Sequence, residues 1–210
     1  VYYFRGAYKF NRAIPGCGRH RFKSLNGVRI LMREVELKFL GVNVPDLTAR
    51  IGELGAHKKF EGEVEAWFFD FDDGRLKKEK KTLRLRRLGD IGQLTLKEEI
   101  SRSDEKEMEE DEVIVPDYGG LRQVLVRMGL KEYKSTIKYR VSYALKMPDE
   151  VHFDFDTYEG IPTFLEIEAQ KKGIVRSYAS KLGLPADSGK TWSVKELFEH
   201  YNVPFKKNGS

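Results

Sequence analysis

The chain has 210 residues, 40% of them hydrophobic and 34% charged, enough length to bury a core and more charge than most globular proteins carry. No apolar run approaches the roughly 20 residues that span a bilayer, and a single cysteine, Cys17, excludes an internal disulfide and points to a reducing, cytoplasmic setting. The formal charge of +5 is concentrated in residues 1–33, where Arg5, Lys9, Arg12, Arg19, Arg21, Lys23, Arg29 and Arg33 stand without one acid, while residues 34–210 hold 30 bases against 33 acids.

The body of the chain therefore lacks the basic excess of a nucleic-acid binder. Residues 1–31 read as a basic extension, loosely attached, 32–205 as one domain and 206–210 as a tail.

From Arg33 to Leu40 the sequence alternates strictly, with Glu34, Glu36 and Lys38 on one face and Val35, Leu37 and Phe39 on the other, the period of a strand. Pro45 and Asp46 open a helix whose Leu47, Ile51 and Leu54 form one apolar stripe, and Gly55 ends it. Glu63 to Phe71 is an aromatic strand, followed by an Asp72-Asp73-Gly74 turn. Trp67, Phe68, Phe69 and Phe71 could stack a nucleobase, although an aromatic strand more commonly builds core or barrel wall.

Thr82–Arg87 and Gln93–Ile100 alternate again and read as a hairpin joined at residues 88–92. Arg84 and Arg86 share a face on the first strand, Thr95 and Lys97 on the second. Residues 104–112 read most simply as a solvated acidic connection before a strand that ends at Val115, and residues 119–129 as a helix. Ser135–Leu145 places Thr136, Lys138, Arg140 and Ser142 on one face, and Val151–Asp156 and Thr163–Ala169 flank a turn at Gly160 and Pro162. Two helices close the chain, at residues 174–182 and after Ser193-x-x-Glu196, the spacing of a capping box.

Six of these strands oppose an apolar face to an ionisable one, which carries Glu34, Glu36, Lys38, Arg84, Arg86, Lys97, Lys138, Arg140, Asp154, Asp156, Glu166 and Glu168. One such strand is an ordinary half-buried sheet with a solvated face. Six suggest a barrel, with charges in the lumen and helices on the apolar exterior. A charged interior is costly unless its charges pair or meet a ligand and metal. Arg and Lys match oligophosphate oxygens, and carboxylates match Mg²⁺ or Mn²⁺, which together suit phosphoryl or nucleotidyl transfer. No P-loop, Gly-x-Ser-x-Gly elbow or zinc spacing is present.

The Glu34-x-Glu36-x-Lys38 motif resembles the ExExK signature of the CYTH superfamily, the triphosphate tunnel metalloenzymes. Arg84-x-Arg86, Leu94-Thr95-Leu96-Lys97, Lys138-x-Arg140-x-x-Tyr143 and Phe164-Leu165-Glu166-Ile167-Glu168 follow in the family's order, so the likeness spans about residues 32–203. It implies an α+β fold, a closed eight-stranded antiparallel β-barrel with helices outside. It also implies that Lys38, Arg84, Arg86, Lys97, Lys138 and Arg140 hold a triphosphate and that Glu34, Glu36, Asp156, Glu166 and Glu168 hold Mg²⁺ or Mn²⁺. Asp156, Lys97 and Arg84 take catalytic roles in that scheme, with Asp154 able to share or replace the part of Asp156. Ala at Glu168 or Asp156 is then expected to abolish turnover and spare the fold.

The segments Thr163–Glu168 and Trp192–Phe198 resemble the class IV adenylyl cyclase branch, which implies conversion of ATP to 3′,5′-cyclic AMP and pyrophosphate, and a homodimer. Inorganic or thiamine triphosphatase is the alternative in the same tunnel, and a non-catalytic nucleotide or polyphosphate sensor is a third reading. Two departures from the family pattern, Glu98-Glu99 after Lys97 and Ile161-Pro162 where a Leu-Gly turn is usual, bear on the tunnel mouth.

Overall fold

The computed structural model describes residues 32–205. The basic extension with Cys17, and the tail at 206–210, lie outside the described residues. Eight strands run in chain order as β1 (Met32–Phe39), β2 (His57–Phe71), β3 (Lys81–Leu88), β4 (Ile91–Arg102), β5 (Lys106–Val115), β6 (Leu130–Leu145), β7 (Val151–Tyr158) and β8 (Ile161–Ala169). They close into an antiparallel barrel in the order β1-β5-β4-β3-β2-β6-β7-β8. Closure leaves no free sheet edge, and it sets β1 and β8 across the lumen from β2 and β3.

Alternation decides which residues face in. On β1 the odd positions Val35, Leu37 and Phe39 are buried on the outside against α1 (Val44–Glu53) and α4 (Ile174–Lys181), with Phe153, Phe155, Leu165 and Ile167 of β7 and β8 in the same cluster. Asn43 caps α1 by accepting from the Asp46 amide at 3.2 Å, and Leu47 and Ile51 form its buried stripe. A second cluster joins Trp67, Phe69 and Leu85 to Leu125 of α3 (Tyr118–Arg127). Trp67 and Phe69 are thus wall residues, while Phe68 between them turns into the lumen.

α5 (Val194–His200) seats Leu197 against Tyr158, Ile161 and Phe164. Its expected capping box is present, with the Ser193 hydroxyl accepting from the Glu196 amide and the Glu196 carboxylate accepting from the Ser193 amide. The remaining helical pieces are short: α2 (Arg75–Lys78) and a 3-10 turn at Ala186–Ser188.

Four features differ from the sequence reading. Residues 106–112 are not a solvated connection but the body of β5, paired to β1 and β4. β6 begins at Leu130 rather than Ser135, and β2 at His57 rather than Glu63. The turn before β8 is Glu159-Gly160, with Gly160 at φ +76°, so Pro162 already belongs to the strand.

Candidate active site

The lumen is a tunnel of about 1930 Å³, and all twelve ionisable residues of the alternating faces line it. Its two flanks differ in charge balance.

On the flank built by β1, β7 and β8, carboxylates crowd together. Glu34, Glu36 and Glu168 each offer an oxygen within 4.8 Å of the others. Lys38 donates to Glu36 at 3.1 Å and to Glu166. Burial opposes charge on both Glu36 and Lys38. It is overcome by Lys106, Lys38 and Lys97 around Glu36, which keep its carboxyl well below the usual range, and by Glu166 and Glu36 around Lys38, which hold its ammonium above its ordinary value.

Arg140 spreads its fork over three acids. Its Nε and Nη2 donate to the two oxygens of Asp156, both at 2.6 Å, Nη2 reaches Glu166 at 3.1 Å, and Nη1 pairs with Asp154. Lys138 adds a further bond to Asp156 at 2.6 Å. Burial alone would raise the Asp156 carboxyl, but Arg140 and Lys138 bring it down to about 2. Lys138 is lowered to about 8, by burial first and then by the neighbouring Arg140.

Glu168 stands apart from this balance. Burial, followed by the charges of Glu34, Glu166 and Asp154, pushes its carboxyl well above the ordinary range. Like charges packed at this distance are relieved by a cation, and three carboxylates are the oxygen donor set that Mg²⁺ or Mn²⁺ prefers. The residues present therefore fit a divalent metal. Asp154 also keeps one buried oxygen, Oδ1, without a hydrogen-bond partner among the described residues.

The opposite flank is basic. Arg86 meets Gln93 and, at 3.6 Å, Glu112 of β5. Burial and then Arg84 lower it to about 10. Lys97 bridges Glu34 at 3.2 Å and Glu110. Arg84 makes no ion pair among the described residues, and its buried Nε has no hydrogen-bond partner.

Every predicted site residue faces the tunnel. Of the five predicted metal ligands, the structure brings Glu34, Glu36 and Glu168 together, whereas Asp156 and Glu166 are engaged by Arg140, Lys138 and Lys38. The sequence reading passed over Lys106, Glu110, Glu112 and Lys134, which also line the lumen. Only Lys134 left a signal, extending the row Thr136, Lys138, Arg140 by one step, whereas Lys106, Glu110 and Glu112 stand in a run charged on both faces. Glu98 and Glu99 are drawn to Lys81, at 4.0 Å, and Arg102, at 3.0 Å, near the end of β4.

The family model for the CYTH domain matches residues 32–177. Among solved structures, the PH1012 protein of Pyrococcus horikoshii is 28% identical with a TM-score of 0.63, over 78% of this chain and 98% of that one. A candidate adenylate cyclase from Vibrio parahaemolyticus is 18% identical with a TM-score of 0.67, over 81% and 99%. HpAC1 from Hippeastrum, a candidate adenylyl cyclase described as having a dominant triphosphatase activity, is 17% identical with a TM-score of 0.52, over 86% and 92%. No curated protein matches the sequence.

Proposed function

The chain belongs to the CYTH domain family, and from that premise we propose that it is a divalent-metal-dependent enzyme converting ATP to 3′,5′-cyclic AMP and pyrophosphate in the barrel lumen. The observation that carries the reading is the lumen's charge pattern, with an oxygen donor trio on β1 and β8 and guanidinium and ammonium groups around the same tunnel. Such a pairing is what a phosphate chain and its metal require. The tunnel volume of about 1930 Å³ exceeds the roughly 300–1000 Å³ of ordinary small-molecule sites, leaving room for a nucleoside beyond the phosphates.

Lys38, Arg84, Arg86, Lys97, Lys138 and Arg140 bind the phosphate oxygens, the guanidinium groups in bidentate fashion. Glu34, Glu36 and Glu168 hold Mg²⁺ or Mn²⁺, which when bound supplies charge neutralisation on the phosphates. In cyclisation the ribose 3′ hydroxyl attacks the α-phosphorus, the bond to the bridging oxygen breaks, and pyrophosphate leaves. The hydroxyl proton needs an acceptor. Asp156, held near 2 by two cations, suits orienting Arg140 and Lys138 better than taking a proton. Asp154, whose Oδ1 has no hydrogen-bond partner among the described residues, is the better acceptor.

Hydrolysis of a triphosphate in the same lumen is the second reading, supported by the triphosphatase activity described for the structurally similar HpAC1. Phosphorus NMR of products from ATP and from tripolyphosphate, each with Mg²⁺ or Mn²⁺, separates the two. Cyclic AMP with pyrophosphate supports the cyclase. Orthophosphate from either compound supports the triphosphatase and overturns the cyclase. No turnover of either leaves a sensor and sinks both.

A further inference from the structure

Lys134 of β6 lies outside every motif that carried the family resemblance, yet it is 7% exposed and faces the lumen. Phe68 on β2 pairs with Lys134 on one side and with Arg84 of β3 on the other, so the two cations flank one ring. The Lys134 Nζ lies 4.3 Å from the Phe68 ring centre and 3.7 Å from that of Phe205.

What distinguishes these two cations is the absence of a counter-charge. Lys38, Arg86, Lys97, Lys106, Lys138 and Arg140 each meet at least one carboxylate. Neither Lys134 nor Arg84 does among the described residues. Asp70, the acid on the same face of β2, accepts instead from the backbone amides of Phe71, Leu76 and Lys77. Burial and then Arg84 lower the Lys134 ammonium to about 7, as expected for a cation with no acid to hold it. A buried cation without a partner is costly, and two side by side form a ready seat for an anion.

We propose that Lys134 and Arg84, on either side of Phe68, form an anion subsite that seats the terminal phosphate of a linear oligophosphate, free or carried by a nucleoside. The inference rests on the tunnel reading above and adds Lys134 as a substrate-binding residue. This end of the lumen offers phosphate oxygens cations that no carboxylate among the described residues occupies. Rings alone cannot neutralise a phosphate, so Phe68 and Phe205 serve as walls that keep Lys134 in place.

The test is calorimetric titration of tripolyphosphate and of ATP into the full chain, without turnover, in the wild type, Lys134→Met and Lys134→Arg. Lys134→Met is expected to weaken both ligands by about tenfold or more, and Lys134→Arg to recover most of the loss. Thermal unfolding of Lys134→Met should match or exceed the wild type, because the change removes an unpaired charge and breaks no ion pair. Equal affinity of Lys134→Met and wild type for both ligands overturns the subsite alone. Weakening confined to ATP also overturns it, assigning Lys134 to the nucleoside. Failure of the wild type to bind either ligand overturns the tunnel reading and the subsite with it.

Discussion

Arg140 and Arg84 are the same residue type facing the same lumen, yet they stand in opposite electrostatic situations. Arg140, on β6, contacts Asp154 and Asp156 of β7 and Glu166 of β8. Arg84, on the β2–β3 side, has no acid among the described residues and a buried Nε with no partner. The first arginine completes a network that the fold needs. The second leaves its charge for something that arrives from outside. Charge in the lumen thus divides into cations that carboxylates already engage and that a phosphate chain must share, and cations held in reserve for it.

Substitution at the two arginines should separate these parts. Arg140→Met leaves three buried carboxylates without their fork and is expected to lower unfolding stability by about 3–5 kcal/mol, measured by urea denaturation. Stability within about 0.5 kcal/mol of the wild type would erase the distinction between the flanks. Next in size, Glu168→Gln removes a crowded charge from the carboxylate trio. It is expected to cut metal-dependent turnover about a hundredfold, equivalent to about 3 kcal/mol in transition-state stabilisation. Unfolding of the metal-free protein should be unharmed, and wild-type turnover would remove the trio from the mechanism.

Asp156 gives a smaller, pH-linked effect. Its carboxyl is lowered to about 2 from the ordinary 3.8, so the unfolded chain binds the proton first. The resulting stability is present above about pH 4 and lost as the pH falls towards 2, on the order of 2 kcal/mol. Acid denaturation of Asp156→Asn should lack this component, and an unchanged acid limb would contradict the pairing. For the same reason Asp156→Ala should damage the fold, unlike the sequence expectation that both it and Glu168→Ala spare it. Smallest of all, Arg84→Met should alter stability by no more than about 0.5 kcal/mol while raising the KM for the triphosphate. A large loss of stability with unchanged KM would make Arg84 structural after all.

Most of the barrel was legible because apolar and ionisable residues alternate cleanly in β1, β3, β4, β7 and β8. β5 was not, since acids occupy both of its faces. Glu110 and Glu112 turn to lumen cations, while Glu107, on the opposite face, pairs with Arg33 and Lys172. With charge on both sides, the two-residue period leaves no trace in hydropathy. The first half of β2 was hidden by Lys58, Lys59 and Gly62, which carry no apolar face. Alternation told which residues face in, but not which acid each base would meet. Those partners come from neighbouring strands and from across the lumen, set by strand order and stagger. Hence the separation of Glu34, Glu36 and Glu168 from Asp156 and Glu166 emerged only with the closed barrel.

The most direct test of the lumen's charge pattern is Mn²⁺ titration followed by electron paramagnetic resonance, in the wild type, Glu34→Gln/Glu168→Gln and Arg84→Met. The expected result is one tightly held Mn²⁺ in the wild type and in Arg84→Met, lost in the double variant, with tripolyphosphate perturbing the bound ion's spectrum in the wild type. Undiminished Mn²⁺ binding in Glu34→Gln/Glu168→Gln would contradict the assignment of the metal to the carboxylate trio and, with it, the separation of a metal seat from the unpaired cations at Arg84.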